Sequence, residues 1–327
     1  MIPRRILIIQ TAFIGDVILS TGLVETLKAE YPEAEIDFLL RKGNEQLFEN
    51  NPNVSNLLVW DKKNGKLKNL WGIISKVRSK GYDLLVNQQR YLSSGIIAAF
   101  SLAKYKVGFS QNPLSFLYDE KVNHSMASGQ HDIERNHKLI ESFTDKNASK
   151  PKLYPSPQQY DAVLKYKSGK YITIAPASVW FTKQFPKEKW VEFLDLLDFQ
   201  GKVYFVGAPG DSTLSDEISA ATRFTDCENL CGKMSLLESA ALMKDATMNY
   251  VNDSAPQHIC SALDAPVTAI FCSTIPEFGF GPLSSNSKVV QINEKLDCRP
   301  CGKHGHRQCP EGHFDCGMKV DVREMGF

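Results

Sequence analysis

Short β-rich apolar runs alternate with amphipathic stretches along almost the whole chain, and this rhythm restricts the fold more than any single motif. In the first half, Arg4 to Gln10, Ile36 to Arg41, Leu57 to Trp60, Asp83 to Asn87 and Tyr105 to Phe109 read as strands. Between them, Val17 to Tyr31 and Lys68 to Lys80 repeat apolar residues at the 3.6-residue period of a helix. Neighbouring parallel strands need long crossovers, which helices supply, so the alternation predicts βαβ units around a parallel sheet. The segment Lys150-Pro151-Lys152-Leu153-Tyr154-Pro155-Ser156-Pro157 breaks the rhythm. Each proline disfavours helix at the preceding residue, which makes residues 151–157 the expected linker.

Beyond the linker the pattern restarts. Tyr171 to Ala175, Lys202 to Val206, Met248 to Val251, Val267 to Phe271 and Lys288 to Ile292 read as strands, with helices near Lys187 to Asp198, Ser235 to Asp245 and Ala255 to Leu263. The expectation is an α/β protein of two doubly wound, Rossmann-like domains facing a central cleft. They would cover residues 1–150 and 158–297, followed by a Cys/His-rich tail over 298–327. Ligands of such sheets bind beyond the carboxyl ends of the strands.

Size agrees with two domains: 327 residues, 43% hydrophobic and 23% charged, exceed one ordinary core. Thirty-eight basic against thirty-seven acidic residues leave a formal charge of +1, so no global field points to a nucleic-acid partner. The apolar run Ile6 to Ile9 stops at Gln10-Thr11 without a small-residue cleavage site, which favours a buried strand over a signal peptide. No run of eighteen apolar residues suggests a membrane span. Eight cysteines, four scattered and four gathered between Cys298 and Cys316, do not form the spread of a secreted disulfide scaffold, and a reducing cytoplasm is expected.

Three loops offer chemistry. The first, Thr11-Ala12-Phe13-Ile14-Gly15-Asp16, joins the first strand to the first helix. A carboxylate there, at the end of a buried strand and beside Gly15, which lets another molecule approach the Thr11 loop, is placed for a general base. A helix cap is the commoner role for such an aspartate. The second, Ala177-Ser178-Val179-Trp180-Phe181-Thr182-Lys183, follows the first strand of the second half and can present Lys183 to an anion, although a single lysine is more often simply solvated. The third, Asn252-Asp253-Ser254-Ala255-Pro256-Gln257-His258, opens a helix whose free N–H groups suit phosphate, with ordinary capping as the competing role. Ser235 and Glu238 stand in capping-box spacing, which competes with any ligand role for Glu238. No dinucleotide fingerprint, Walker sequence or Asp-x-Asp metal clamp occurs.

The tail carries Cys298, Cys301, Cys309 and Cys316, with His304, His306 and His313 among them. The opening C-x2-C suits a structural zinc, while the later gaps leave reduced cysteines or labile disulfides equally open.

Taken together, the stretches IGDVILSTGLVETLKAEYP, APASVWFTKQFPKEKW and NDSAPQHICSALDAPVTAIFCSTIPEFGFGP resemble the ADP-heptose:lipopolysaccharide heptosyltransferases, glycosyltransferase family nine, of GT-B fold. The tail CRPCGKHGHRQCPEGHFDC is similar to that of one branch of the family. The resemblance implies an inverting transfer of heptose from an ADP-sugar to the lipopolysaccharide core or a lipid A-linked saccharide, without a catalytic cofactor, at the cytoplasmic face of the inner membrane. It implies Asp16 as base, Lys183 on the donor phosphate and Glu238 on the ribose. Ser178 and the loop Asp253, Ser254, Ala255 and His258 would complete the donor site. Val179-Trp180-Phe181 departs from the basic or threonine residues that commonly precede the lysine. A GT-B epimerase or another sugar transferase, and a non-catalytic nucleotide-sugar-binding protein, are the alternative functions. The final stretch from Lys319 is expected to begin a long C-terminal helix.

Overall fold

The computed structural model describes residues 2–63 and 65–326, without the side chains of residues 66 and 67. The chain divides into two compact units, Met1–Tyr154 and Pro155–Phe327.

The first unit runs β1 (Arg5–Ile9), α1 (Ile14–Glu30), β2 (Glu35–Arg41), β3 (Asn56–Trp60), α2 (Lys66–Lys80), β4 (Leu84–Asn87), α3 (Leu92–Ala99), β5 (Tyr105–Phe109), β6 (Glu120–Val122) and α4 (Asp132–His137). Its strands pair in parallel in the order β3-β2-β1-β4-β5-β6. The order reverses between β1 and β4, so the loops after these two strands diverge to opposite faces and leave a crevice at the carboxyl edge. Leu7, Ile9, Leu39, Trp60, Ile74, Tyr82 and Leu85 fill one core face of this sheet. α1 is buried through Val17 to Val24, and a Cβ on its Gly22 would meet the Ser149 carbonyl at 2.5 Å. Glycine is thus required where the end of the unit crosses the helix, despite its cost within a helix of about 1 kcal/mol.

The second unit runs α5 (Pro157–Ala162), β7 (Tyr171–Ala175), α6 (Lys187–Leu196), β8 (Lys202–Phe205), α7 (Ser212–Ala221), β9 (Cys227–Asn229), α8 (Leu236–Lys244), β10 (Asn249–Asn252), α9 (Ala255–Leu263), β11 (Val267–Phe271), β12 (Ser287–Gln291) and α10 (Asp315–Met318). Its parallel order, β12-β11-β10-β7-β8-β9, repeats the doubly wound arrangement, with the switch between β7 and β10.

The tail does not stand apart from this unit. Phe314, Cys316, Val320, Val322 and Met325 join Ile172, Trp190, Phe193, Phe205 and Ile270 in a single core. Each large apolar side chain so buried contributes about 1.5–3 kcal/mol, which explains why the tail folds back. Residues after Lys319 form a 3-10 turn, Val322–Met325, capped by the Asp321 carboxylate, rather than the start of a long helix. Among the described residues no helix is long and apolar enough to cross a membrane.

Candidate active site

Asp16 sits at the third position of α1, whose N-cap is Phe13 with no side-chain capping bond. The backbone N–H groups of Asp16 and Phe13, at the start of α1, lie where they pull the Asp16 carboxyl toward its charged form. Burial opposes this pull and dominates, with the nearby Asp132 carboxylate adding repulsion, so the Asp16 carboxyl is pushed up to about 6, only partly relieved by Arg90. A carboxylate of that basicity can accept a proton from a hydroxyl near neutral pH.

The surroundings of Asp16 are a buried charge cluster that the sequence did not announce. Asp132 accepts from Arg135 at 3.0 Å and from the Asn136 amide at 2.8 Å, and Arg135 is 2% exposed. The His124 ring lies 4.0 Å from Asp132. Burial, followed by the Arg90 charge, holds this imidazole down to about 4, against the pull of Asp132, so it is neutral at physiological pH. Thr11 is buried, and its carbonyl and hydroxyl accept from the Lys62 ammonium at 3.0 and 2.9 Å. Lys62 also lies over the Trp60 ring, so it closes the Thr11 loop from the end of β3. Gly15 is the second residue of α1.

In the second unit, the loops after the adjacent strands β7 and β10 meet. The Lys183 ammonium, in the 3-10 turn Phe181–Lys183, lies 2.7 Å from Asp253 Oδ2. The Thr274 hydroxyl donates to that same oxygen at 2.6 Å. Asn252, fully buried, ties the loops together: its amide N–H group donates to the carbonyls of Ala175, Pro176 and Ala177, and its Oδ1 accepts the Phe185 N–H at 2.9 Å. Ser178 belongs to the same loop, and its N–H donates to the Gln184 side chain. Ser254 is the N-cap of α9 but makes no capping bond; its hydroxyl instead donates to the Asn252 carbonyl. The first-turn N–H of Ala255 and the helix dipole remain there for an anion, with Pro256 in that turn, where its missing N–H costs nothing. His258 is buried one residue further along than Gln257.

Lys183, Asp253, Ser254 and Ala255 are thereby brought together at the sheet's switch point. Glu238 is bound into its own capping box, its carboxylate accepting the Ser235 N–H at 2.6 Å at the start of α8. The local competitor to a ribose role is therefore real, although one carboxylate oxygen suffices for it.

Cys298, Cys301, Cys309 and Cys316 are free thiols. They share a neighbourhood. Burial raises the Cys316 thiol to about 11, with repulsion from the other three thiols adding to it against Arg299, and Cys301 is raised by burial and then by Cys309 and Cys298. Among the described residues, however, no three His, Cys, Asp or Glu side chains are arranged to hold a metal ion. The tetrahedral ligand set expected for zinc is thus not assembled.

The two sheets match solved glycosyltransferases over their whole length. The family 9 glycosyl transferase from Veillonella parvula superposes with a TM-score of 0.86 at 20% identity, covering 98% of this chain and 95% of the other. The E. coli ADP-heptose LPS heptosyltransferase II superposes with a TM-score of 0.77 at 21% identity, covering 91% and 95%. The fold is that of the GT-B glycosyltransferases. In sequence, lipopolysaccharide heptosyltransferase 3 of Escherichia coli K12 is 26% identical over 280 residues, 80% of either chain. The family model of glycosyltransferase family 9 (heptosyltransferase) matches residues 70–314, and the chain belongs to that family. It is a glycosyltransferase.

Proposed function

We propose that this enzyme transfers a heptose from ADP-heptose to the inner core of lipopolysaccharide with inversion, using Asp16 as general base and no metal in catalysis. The observation that carries the reading is the Asp16 carboxyl, half-buried in the loop after β1 at the sheet's switch point and raised to about 6 despite the nearby helix-start N–H groups. Asp16 removes the proton of the acceptor hydroxyl as its oxygen attacks the anomeric carbon. Lys183, Ser254, Ala255 and the N-terminus of α9 take up the charge of the departing ADP, and Ser178, Asp253 and His258 shape that loop. Glu238 contacts the ribose through the oxygen that its cap leaves available. Thr11 and Gly15 line the acceptor loop.

The names of the similar proteins supply the substrates, ADP-heptose and lipopolysaccharide. Such an acceptor is amphiphilic, which supports work at the cytoplasmic face of the inner membrane with peripheral contact at most. Zinc on Cys298, Cys301, Cys309 and Cys316 is supported by residue type and by the shared neighbourhood of the thiols, whose mutual repulsion a cation would relieve.

The test is incubation with ADP-heptose and with other ADP- and UDP-sugars, together with truncated lipopolysaccharide cores, read by product mass. A heptose mass gain that depends on ADP-heptose and disappears in Asp16→Ala, with turnover down at least about a hundredfold and ADP still bound, is expected. Near-normal turnover of that variant would remove the base assignment. Transfer from a different sugar nucleotide would remove the donor assignment alone.

A further inference from the structure

Beneath the Lys183 turn lies the first part of the tail, tied to it by more bonds than covering a core requires. Thr182, 1% exposed, donates its N–H to the His306 carbonyl at 3.1 Å. Its hydroxyl oxygen accepts the His306 N–H at 2.7 Å and the Ser273 hydroxyl at 3.0 Å. The Ser273 N–H donates to the Thr182 carbonyl at 3.2 Å, and the Ser273 carbonyl accepts the Cys301 N–H at 2.8 Å. Arg299 secures the same tail segment to the end of β11, donating to the carbonyls of Cys272 at 2.6 Å and Thr274 at 2.8 Å and to the Gln291 side chain at 2.7 Å. Thr274 in turn bonds the Asp253 oxygen that receives Lys183.

The tail backbone also touches the lysine itself. Gly305 has φ +77°, and a Cβ there would stand 2.9 Å from Lys183 Cγ and 3.0 Å from the Thr182 hydroxyl. Apolar docking by Phe314, Val320 and Val322 would hold the tail in place without any of these contacts. A lysine stem is flexible and its ammonium a mobile point charge, so placing it requires neighbours along the stem as well as at its tip. Gly305 supplies the first, and Asp253 the second.

We propose that residues 298–306 set the position of the Lys183 ammonium toward the donor diphosphate, with Thr182, Ser273 and Arg299 as positioning residues. This rests on the reading of Lys183 as a donor-phosphate contact. The tail is then part of the donor site's construction, not only of the stability of its domain.

ADP binding by the full-length protein, measured calorimetrically, tests it. Thr182→Val keeps the shape and removes the hydroxyl, and it is expected to weaken ADP about three- to tenfold, whereas Thr182→Ser stays within about twofold of wild type. Lys183→Ala is expected to weaken ADP about tenfold. In the Lys183→Ala background, Thr182→Val should add less than about twofold, because residues acting through one group are not additive. Additive losses, an unchanged Thr182→Val, or a Thr182→Ser as weak as Thr182→Val would overturn the inference and leave the Lys183 reading standing. Unchanged binding in Lys183→Ala would overturn both. Should Thr182→Val not fold, Arg299→Lys and Gly305→Ala enter the same cycle and are read in the same way.

Discussion

Asp16 is drawn in two directions, and the balance decides its chemistry. The helix N-terminus offers it N–H groups that favour charge, while burial and Asp132 disfavour charge more strongly. Its value of about 6 therefore predicts that kcat/KM falls about tenfold per pH unit below pH 6, as the base becomes protonated. A rate profile flat down to pH 4.5 would exclude it. The consequence for stability has the opposite sign. The folded value exceeds the ordinary 3.8, so above pH 6 the ionised carboxylate weakens the fold, and this penalty disappears as pH falls from 6 toward 4. Asp16→Asn should accordingly melt several degrees higher than wild type at pH 8 while losing turnover, as a differential scan at pH 8 and pH 4.5 would reveal. From the sequence, Asp16 presented a base and a cap as rivals. The structure places Asp16 at the third residue of α1, whose N-cap Phe13 makes no side-chain capping bond, and its role as base remains a proposal. Asp132, Arg90 and His124 were not legible as its neighbours, since only tertiary packing brings residues so distant in sequence together.

At the level of elements, the loops proposed to hold the donor depend on the adjacency of β7 and β10. That adjacency places Lys183 beside Asp253, and Asn252 bonds the carbonyls that hold the β7 loop in place. Asp253 is 5% exposed and is the common partner of Lys183 and Thr274. Asp253→Ala is expected to destabilise the protein by about 1–3 kcal/mol, since it leaves a half-buried ammonium and the Thr274 hydroxyl without their shared carboxylate. Urea unfolding would measure this, and a loss below about 1 kcal/mol would show that the pair is screened by water. The strands carrying these loops were legible because each is a short apolar run buried on both faces. The outermost strands β6 and β9 were not. Each has three residues, and Glu120-Lys121-Val122 and Cys227-Glu228-Asn229 lack the apolar run that marks a buried strand. Helices α3, α4, α5, α7 and α10 also went unread; α4 and α5 span six residues and α10 four, too few for a period to emerge.

At the scale of the whole molecule, the tail changes character between sequence and structure. Its cysteines drew attention first, yet its apolar residues, Phe314, Val320, Val322 and Met325, are what merge it with the second core. Their spacing carries no helical or strand period, which is why the sequence suggested an appended element. Elemental analysis of protein purified without chelator decides between a zinc drawn onto the four cysteines as they close around it, about one per chain, and thiols that stay unligated as they stand in the structure. A metal-free protein of full activity would leave them as reduced structural thiols. Turnover should be the same with and without added magnesium or manganese, because no step of the proposed transfer uses either ion.

The clamp of Arg299 and His306 on the Lys183 turn also sets an order of events during synthesis. Lys183 leaves the ribosome long before Arg299, and at about 5–20 residues per second the interval is on the order of ten seconds. During that interval the nascent second unit has its lysine but not the segment that seats it. Core partners such as Ile172 and Trp190 likewise await Val322 and Met325. The second unit is thus the last to be completed, and until the tail has emerged the Lys183 turn lacks the His306 hydrogen bonds, and the neighbouring end of β11 those of Arg299, that hold them in the finished chain.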